Sequence, residues 1–242
     1  IIVANRSMSV VYIQKKVNDG GSGGFYAAMK EAFNRGYDWL WLMDDDGLPD
    51  RKELKELYNK SVEYHLQYAN ALVLDIKDPT HFSFGLSKGR LVYTVEDAKK
   101  KPVIEDVANP FNGTFVSREV IEKIGFIKKE MFIWGDEIEY FLRTKKNRFK
   151  IATVPSAVHL HPKSVNKNNY ISFYNWKVPD VFGTRFICVH RNKGYIYSRY
   201  YGICGIIKYL IANTAIYVCN FQFKKWLLFI KYYFEGVFNY YK

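Results

Sequence analysis

The stretch WLWLMDDDGLPD, residues 39–50, decides how the chain is read. Five large apolar side chains run into Asp44, Asp45 and Asp46, and Gly47 and Pro49 turn the chain behind them. Such a run reads as a buried strand that carries charges to its C-terminal end. Like charges a few ångströms apart raise one another's pKa, so a carboxylate cluster in that place calls for a neutralising partner. Carboxylate oxygens suit hard divalent cations, Mg2+ or Mn2+, which often complete their shell with substrate phosphates. Alternate residues of an extended segment point the same way, so Asp44 and Asp46 can share one ion while Asp45 faces elsewhere. A solvated acidic turn is the bland alternative; the buried run before the triplet favours the metal.

Outward from that stretch, IIVA (1–4) and VVYI (10–13) read as short buried strands, and NDGGSGGF (18–25) as a glycine turn. YAAMKEAFNRGY reads as a helix closed by Gly36, and PDRKELKELYNKSVEY as a charged helix with proline in its first turn. NALVLDI (70–76) is a further strand, residues 77–110 read as loops and short strands, and 109–126 as a strand followed by a helix. GDEIEYFLRTKKN (135–147) predicts a helix in which Glu139 and Arg143 pair at i,i+4, and 149–161 a strand ending in HLH. This alternation predicts an α/β fold with a mixed, mostly parallel sheet flanked by helices, whose ligands bind beyond the C-terminal strand ends. Asn5, the glycine turn and the aspartates are all expected at that one edge.

The glycine turn has neither the GK[ST] of a P-loop nor a GxGxxG pattern, so it is consistent with a nucleotide without being diagnostic of one. In WGDEIEY (134–140), Asp136 and Glu137 open a helix. They either complement its dipole or supply a general base that takes a proton from a hydroxyl. His159 and His161 share one face of their strand and gain weight as ligands if a metal site lies on the same sheet edge.

The 242 residues carry a formal charge of +12 and an aromatic share of 18%. From Lys163 to Lys242 there are twelve Lys and Arg against Asp180 and Glu235, together with 22 of the 43 aromatic residues. Such a tail suits an anionic membrane surface or nucleic acid; membrane is the preferred partner and nucleic acid is not expected. Residues 201–221 and 224–242 are interrupted by Lys208, Asn213 and Lys231, so two helices lying in the membrane plane fit better than spans. Cys188, Cys204 and Cys219 form no metal or disulfide pattern and are expected to be buried, reduced thiols of a cytosolic protein. The chain opens on IIVAN without a methionine, the look of a piece of a longer protein.

Taken in order, IIVAN.S, NDGGSGGF, WLWLMDDDGLP, FNGTFVSREVIEKIG, FIWGDEIEYFLR, PSAVHLH and HRN resemble family-2 glycosyltransferases of the GT-A fold. The subgroup is similar to the bacterial galactofuranosyltransferases and rhamnosyltransferases of cell-surface polysaccharide synthesis, over roughly residues 1–195. The resemblance implies a Rossmann-like, nucleotide-sugar-binding catalytic domain over 1–165 and a basic, aromatic helical region over 166–242. It places Asn5, Asn18, Gly23, Gly24, Asp44 and Asp45 at the donor. Asp46, with Asp44 and His161, would hold Mn2+ or Mg2+; Asp136 would be the catalytic base, and Trp134 and Glu137 would line the acceptor subsite. Two departures stand out: Ala4 occupies the place of a usual aspartate, and the connection from Ser7 to Val10 is too short for the family's helix. The fold's usual first strand is also absent from the start of the chain, so either residues are missing at the N-terminus and after Ser7 or the donor site is altered.

The expected activity is inverting transfer of a sugar to a glycan or lipid-linked glycan at the inner face of the cell membrane. UDP-galactofuranose is the preferred donor and dTDP-rhamnose the second. A non-catalytic binding module on the same fold is the rival from another class, and a metal-dependent phosphatase or nuclease ranks third because it leaves WGDEIEY without a role.

Overall fold

The computed structural model describes residues 2–5, 8–89, 91–163 and 170–241, without the side chains of residues 2–5, 8 and 9. The chain runs β1 (Ile2–Asn5), β2 (Met8–Val11), α1 (Gly20–Asn34), β3 (Trp39–Leu42), β4 (Leu48–Pro49), α2 (Glu53–Tyr64) and β5 (Tyr68–Asp75). It continues through β6 (Ser87–Lys88), β7 (Leu91–Val92), α3 (Val95–Lys99), β8 (Ile104–Glu105), β9 (Thr114–Ser117), α4 (Arg118–Ile124), α5 (Asp136–Lys146) and β10 (Ile151–His161). The C-terminal region adds β11 (Tyr170–Phe173), β12 (Trp176–Pro179), α6 (Gly183–Ile196), α7 (Gly202–Cys219) and α8 (Phe223–Val237).

The central sheet has the order β3-β9-β5-β10-β4, with β8 also on β10. β3, β5 and β10 run the same way, as the strand–helix alternation requires. β9 is antiparallel to both β3 and β5, so the direct parallel pair is β5 with β10 and the sheet is mixed. The period of two in WLWL is plain in the packing. Leu40 and Leu42 enter the core with Met29, Val116, Val120 and Tyr140, while Trp39 and Trp41 pack on the other face with Leu57, Ala69 and Phe115. Helices thus cover both faces. β3 nonetheless lies at the edge of the sheet, and β5, buried along its whole length, is the innermost strand. The bulk of two half-buried indoles, one stacked on Phe115 at 4.6 Å, accounts for the apolar run.

Two strand expectations fail at the N-terminus. β1 and β2 form a two-stranded antiparallel hairpin outside the central sheet, and Val10, Val11, Tyr12 and Ile13 are exposed. A connection as short as Arg6–Ser7 allows only antiparallel pairing, since a parallel neighbour needs a crossover of about a dozen residues. The glycine-rich segment is also no turn: Gly20 through Gly24 form the first turn of α1. Cys188 is buried, but Cys204 and Cys219 are exposed, because α7 presents that side of its surface outward.

The boundary expected near residue 165 lies outside the described residues. Beyond it, β11, β12 and α6–α8 enclose a second core around Phe186, Ile216, Tyr217, Phe229 and Tyr233, against which Trp134 also packs. α6 and α8 meet at two glycines. A Cβ on Gly194 would stand 2.1 Å from the Tyr233 carbonyl oxygen, and one on Gly236 1.8 Å from that of Arg191, so only bare backbone permits this approach.

Candidate functional site

After β3 the chain turns through the aspartates and returns as β4, which pairs antiparallel with the end of β10, Leu48 opposite Leu160 and Pro49 opposite His159. That register brings Asp46 beside His161. One ligand atom from each of Asp44, Asp46 and His161 lies within 4.8 Å of the others, and His161 Nε2 is 3.1 Å from Asp46 Oδ1. His161 Nδ1 lies 2.7 Å from the carbonyl oxygen of Pro162, which can only accept, so the ring proton sits on Nδ1. This assigns the Nε2 lone pair to the aspartates, the way an outer-shell carbonyl orients a metal-binding histidine. Phe84 packs on the ring at 4.9 Å. Two carboxylates and one imidazole fit Mn2+ or Mg2+, with Mn2+ the better match to nitrogen.

His159, the other histidine of HLH, is fully buried and its Nδ1 lies 3.1 Å from Glu53 Oε2. Glu53 also accepts from the Trp41 indole at 3.3 Å. A Cβ on Gly47 would stand 2.2 Å from His159 Nε2, so the glycine after the aspartates makes room for this imidazole. His159 and His161 thus share a face of β10, but the first is packed against Glu53 and only the second, at the strand end, reaches the acids.

Asp44 reaches a cavity of about 610 Å3 that also exposes Trp134, Asp136 and Glu137. Burial, then the Asp46 carboxylate, hold the Asp44 carboxyl above its usual range, with Asp136 adding to the same effect. Asp136 is the first residue of α5 and is 5% exposed. Burial and the adjacent Asp136, to which it is hydrogen-bonded, push the Glu137 carboxyl up to about 8. Glu137 Oε2 also accepts from the Gly135 backbone N–H at 3.0 Å. A proton kept on Glu137 is thus directed at Asp136.

The loop that delivers these acids is strained. Phe132, Trp134 and Gly135 have φ of 67°, 62° and 109°, in the left-handed region. Asn192 on α6 holds it: its buried Nδ2 lies 2.9, 3.0 and 2.9 Å from the carbonyl oxygens of Met131, Ile133 and Trp134. Tyr241 donates to Asn192 Oδ1 at 3.3 Å. On the other side, Ser22 N–H in the first turn of α1 donates to the Phe132 carbonyl at 3.1 Å. Glu139 and Arg143 pair at 3.0 Å as expected, and Tyr200 donates to Glu139 at 2.6 Å.

Other expected residues are not brought together here. Asn18 accepts from Gly20 N–H and lines a separate cavity with Asp19 and Lys129. Gly23 is packed against the Asp19 carboxylate and Gly24 is exposed; the glycine that lines the cavity with Asp44 and Asp136 is Gly21. Asp45 is exposed and stands outside the three-residue group. The side chain of Asn5 lies outside the described residues. Sequence reasoning missed Asn192, although HRN is among the resembling motifs, and Asn112, whose buried Oδ1 has no partner among the described residues and which lines the same cavity.

Titration with Mn2+ is expected to saturate at one site in the native chain. Asp46→Asn and His161→Ala each weaken it by at least about tenfold, the lower bound even for outer-shell losses. His159→Ala, if it folds, leaves the affinity unchanged; equal losses at His159 and His161 would contradict the assignment.

Residues 3–125 match the family model for glycosyl transferase family 2. The chain is 31% identical over 205 residues to galactofuranosyltransferase GlfT1 of Mycobacterium tuberculosis, strains CDC 1551 and H37Rv, covering 82% of this chain and 67% of that protein. It is 27% identical over 208 residues to GlfT1 of Mycolicibacterium smegmatis, covering 82% and 68%. Among solved structures, GalNAc-T7 with UDP, GalNAc and Mn2+ matches at TM-score 0.47 and 12% identity, over 79% of this chain and 39% of that one. S. aureus TarS matches at TM-score 0.42 and 11% identity, over 77% and 33%. A family model spanning residues 3–125 and a relative 31% identical over 82% of the chain together mean that the chain belongs to glycosyltransferase family 2.

Proposed function

We propose that the protein transfers galactofuranose, with inversion, from UDP-galactofuranose to a glycan acceptor of bacterial cell-surface polysaccharide. The observation that carries this reading is the single cavity with Asp44, beside Asp46 and His161, on one wall and Asp136 on another. Two sets of acids have two tasks. Asp44, Asp46 and His161 would hold Mn2+ or Mg2+, which stabilises negative charge developing on the leaving diphosphate. Asp136 takes the proton from the acceptor hydroxyl that attacks the anomeric carbon, and Glu137, by donating to Asp136, tunes how strong that base is. Trp134 offers an aromatic wall to the acceptor, and Asn112 Oδ1 an acceptor for a sugar hydroxyl. The donor sugar is drawn from the relatives named galactofuranosyltransferase.

The C-terminal helices support peripheral attachment to the inner face of the membrane. The helical run Gly183–Cys219 is long and apolar enough to cross a bilayer by length and composition, with a mean hydropathy of 1.5. One side of α7, however, is occupied: Asn213, Ile216 and Tyr217 are buried in the second core. The opposite side exposes Ile203, Ile207 and Ile211 at i,i+4 spacing, and α8 exposes Phe223 and Leu227. An exposed apolar stripe on a basic region fits a helix lying in the interface.

With UDP-galactofuranose and Mn2+, Asp136→Asn is expected to cut turnover by about 10²- to 10⁴-fold, while a binding module would keep its function. Because Glu137 holds its proton up to about pH 8 and directs it at Asp136, the base is weakest below that pH. The native kcat/KM therefore rises with pH through that range, and Glu137→Gln removes the limb; the same profile in both proteins would contradict the pairing. The double change Ile207→Asp, Ile211→Asp should abolish cosedimentation with phosphatidylglycerol vesicles, and unchanged cosedimentation would remove the membrane assignment.

A further inference from the structure

Behind Trp134 and Glu137 lies a second cavity, of about 410 Å3, walled by the β11–β12 hairpin, α6 and α7. It shares Trp134, Glu137 and Ile138 with the cavity that holds the acids, so one extended molecule can occupy both. Much of its wall is apolar, but three polar groups enter it: Lys193 from α6, Lys177 from β12 and Asn213 from α7.

These three groups lack what their neighbours have. Lys225 in the same region is paired with Asp180, whereas Lys193, half-buried, and Lys177, exposed at the rim, have no carboxylate within ion-pair distance among the described residues. A third cation stands close by, since the Arg185 guanidinium lies 5.5 Å from the centre of the Trp134 ring. Asn213 is 4% exposed, and its Nδ2 donates to the Tyr209 carbonyl at 2.9 Å, which fixes the amide's orientation. Its Oδ1 is then buried without a donor among the described residues. An unpaired buried acceptor is costly, and a half-buried ammonium without a counter-ion equally so.

Burial holds the Lys193 amine below its ordinary range, and Glu137 acts in the opposite sense. Glu137 is a single carboxylate set against Lys193, Lys177 and the nearby Arg185. The excess charge around the cavity is larger than one carboxylate would balance. Lysines are point-charge partners that suit phosphate oxygens without demanding the planar fork of a carboxylate.

We propose that this second cavity receives a phosphate-class anion carried by the acceptor, bound by Lys193 and Lys177, with Asn213 Oδ1 accepting a hydroxyl of the same molecule. The identification of that molecule as the acceptor rests on the transferase reading above; the anion site itself does not. The acceptor then extends from Lys193, across the face of Trp134, to present its hydroxyl at Asp136. Lys193 acts in binding and takes no part in the proton transfer.

The test is isothermal titration of geranyl diphosphate into the full chain in EDTA, which keeps divalent ions from holding the diphosphate at the aspartates. Binding is expected in the native protein, weakened at least about tenfold in Lys193→Gln and kept within about twofold in Lys193→Arg and in Asp46→Asn. Unchanged binding in Lys193→Gln overturns the proposal, and so does loss in Asp46→Asn, which would put the diphosphate at the aspartates. Cosedimentation with phosphatidylglycerol vesicles is expected to be the same in native protein and Lys193→Gln; a loss there would assign the cation to a phospholipid headgroup and overturn it too. Absence of turnover with UDP-galactofuranose would remove the acceptor's identity while the titration stood, whereas a failed titration beside intact turnover would remove the anion site alone.

Discussion

Everything at the site depends on the cost of holding like charges together. Asp44 and Asp136 line one cavity from two directions, with Asp46 beside Asp44, and both neighbours disfavour the ionisation of Asp44. Such an arrangement persists in a fold only when something offsets it, and the two halves of the site do so differently. On the strand side Asp44, Asp46 and His161 form a group that would suit a cation, with His161 Nδ1 committed to the Pro162 carbonyl and Nε2 facing the acids. On the helix side it is a proton kept on Glu137 and shared toward Asp136. In the proposed reaction one half of the site would receive the negative charge of a leaving group and the other accept a proton from a nucleophile.

The C-terminal region belongs to this site as much as the sheet does. The loop carrying Trp134, Asp136 and Glu137 has three residues in the left-handed region and is not a low-energy conformation on its own. One buried side chain, Asn192, distributes its amide over three carbonyls of that loop, and α6 can supply it only because α8 packs tightly behind at Gly194 and Gly236. His190, two residues before Asn192 on α6, is held neutral by burial, which pushes its imidazole down to about 3, and it bonds Tyr217 at 2.8 Å. HRN is thus a packing motif that also holds the loop carrying Trp134, Asp136 and Glu137.

Much of the fold was legible in the sequence where periodicity and punctuation agree. β3, α2, β5, α5 and β10 stand where the alternating or helical spacing puts them, and the acids fall at a strand end and a helix start. Three features were not legible. The apolar run in WLWLM reads as a buried strand, yet β3 lies at the sheet edge, where bulky indoles packed under α2 give it the composition of a central one. The glycines of NDGGSGG resemble a loop but form a helical turn, tied at Ser22 to a loop more than a hundred residues away. Asn192 lies in the resembling HRN motif, but its role was not legible, since a polar residue in a helix says nothing of which distant carbonyls it will meet. The aspartates stand out because carboxylate clusters leave a residue-type signature, and the family resemblance singles out His161 beside them; clamps made of amides and carbonyls leave no such signature.

The central claim is that the strand-end acids and His161 hold the metal–diphosphate half of the site while Asp136 stands apart from it as the base. Anomalous diffraction from crystals grown with Mn2+ and UDP tests it directly. One manganese peak within bonding distance of Asp44, Asp46 and His161 Nε2, with the diphosphate on its open side and Asp136 unligated, is the predicted result. A peak shared between Asp44 and Asp136, or one that leaves His161 out, would contradict the account.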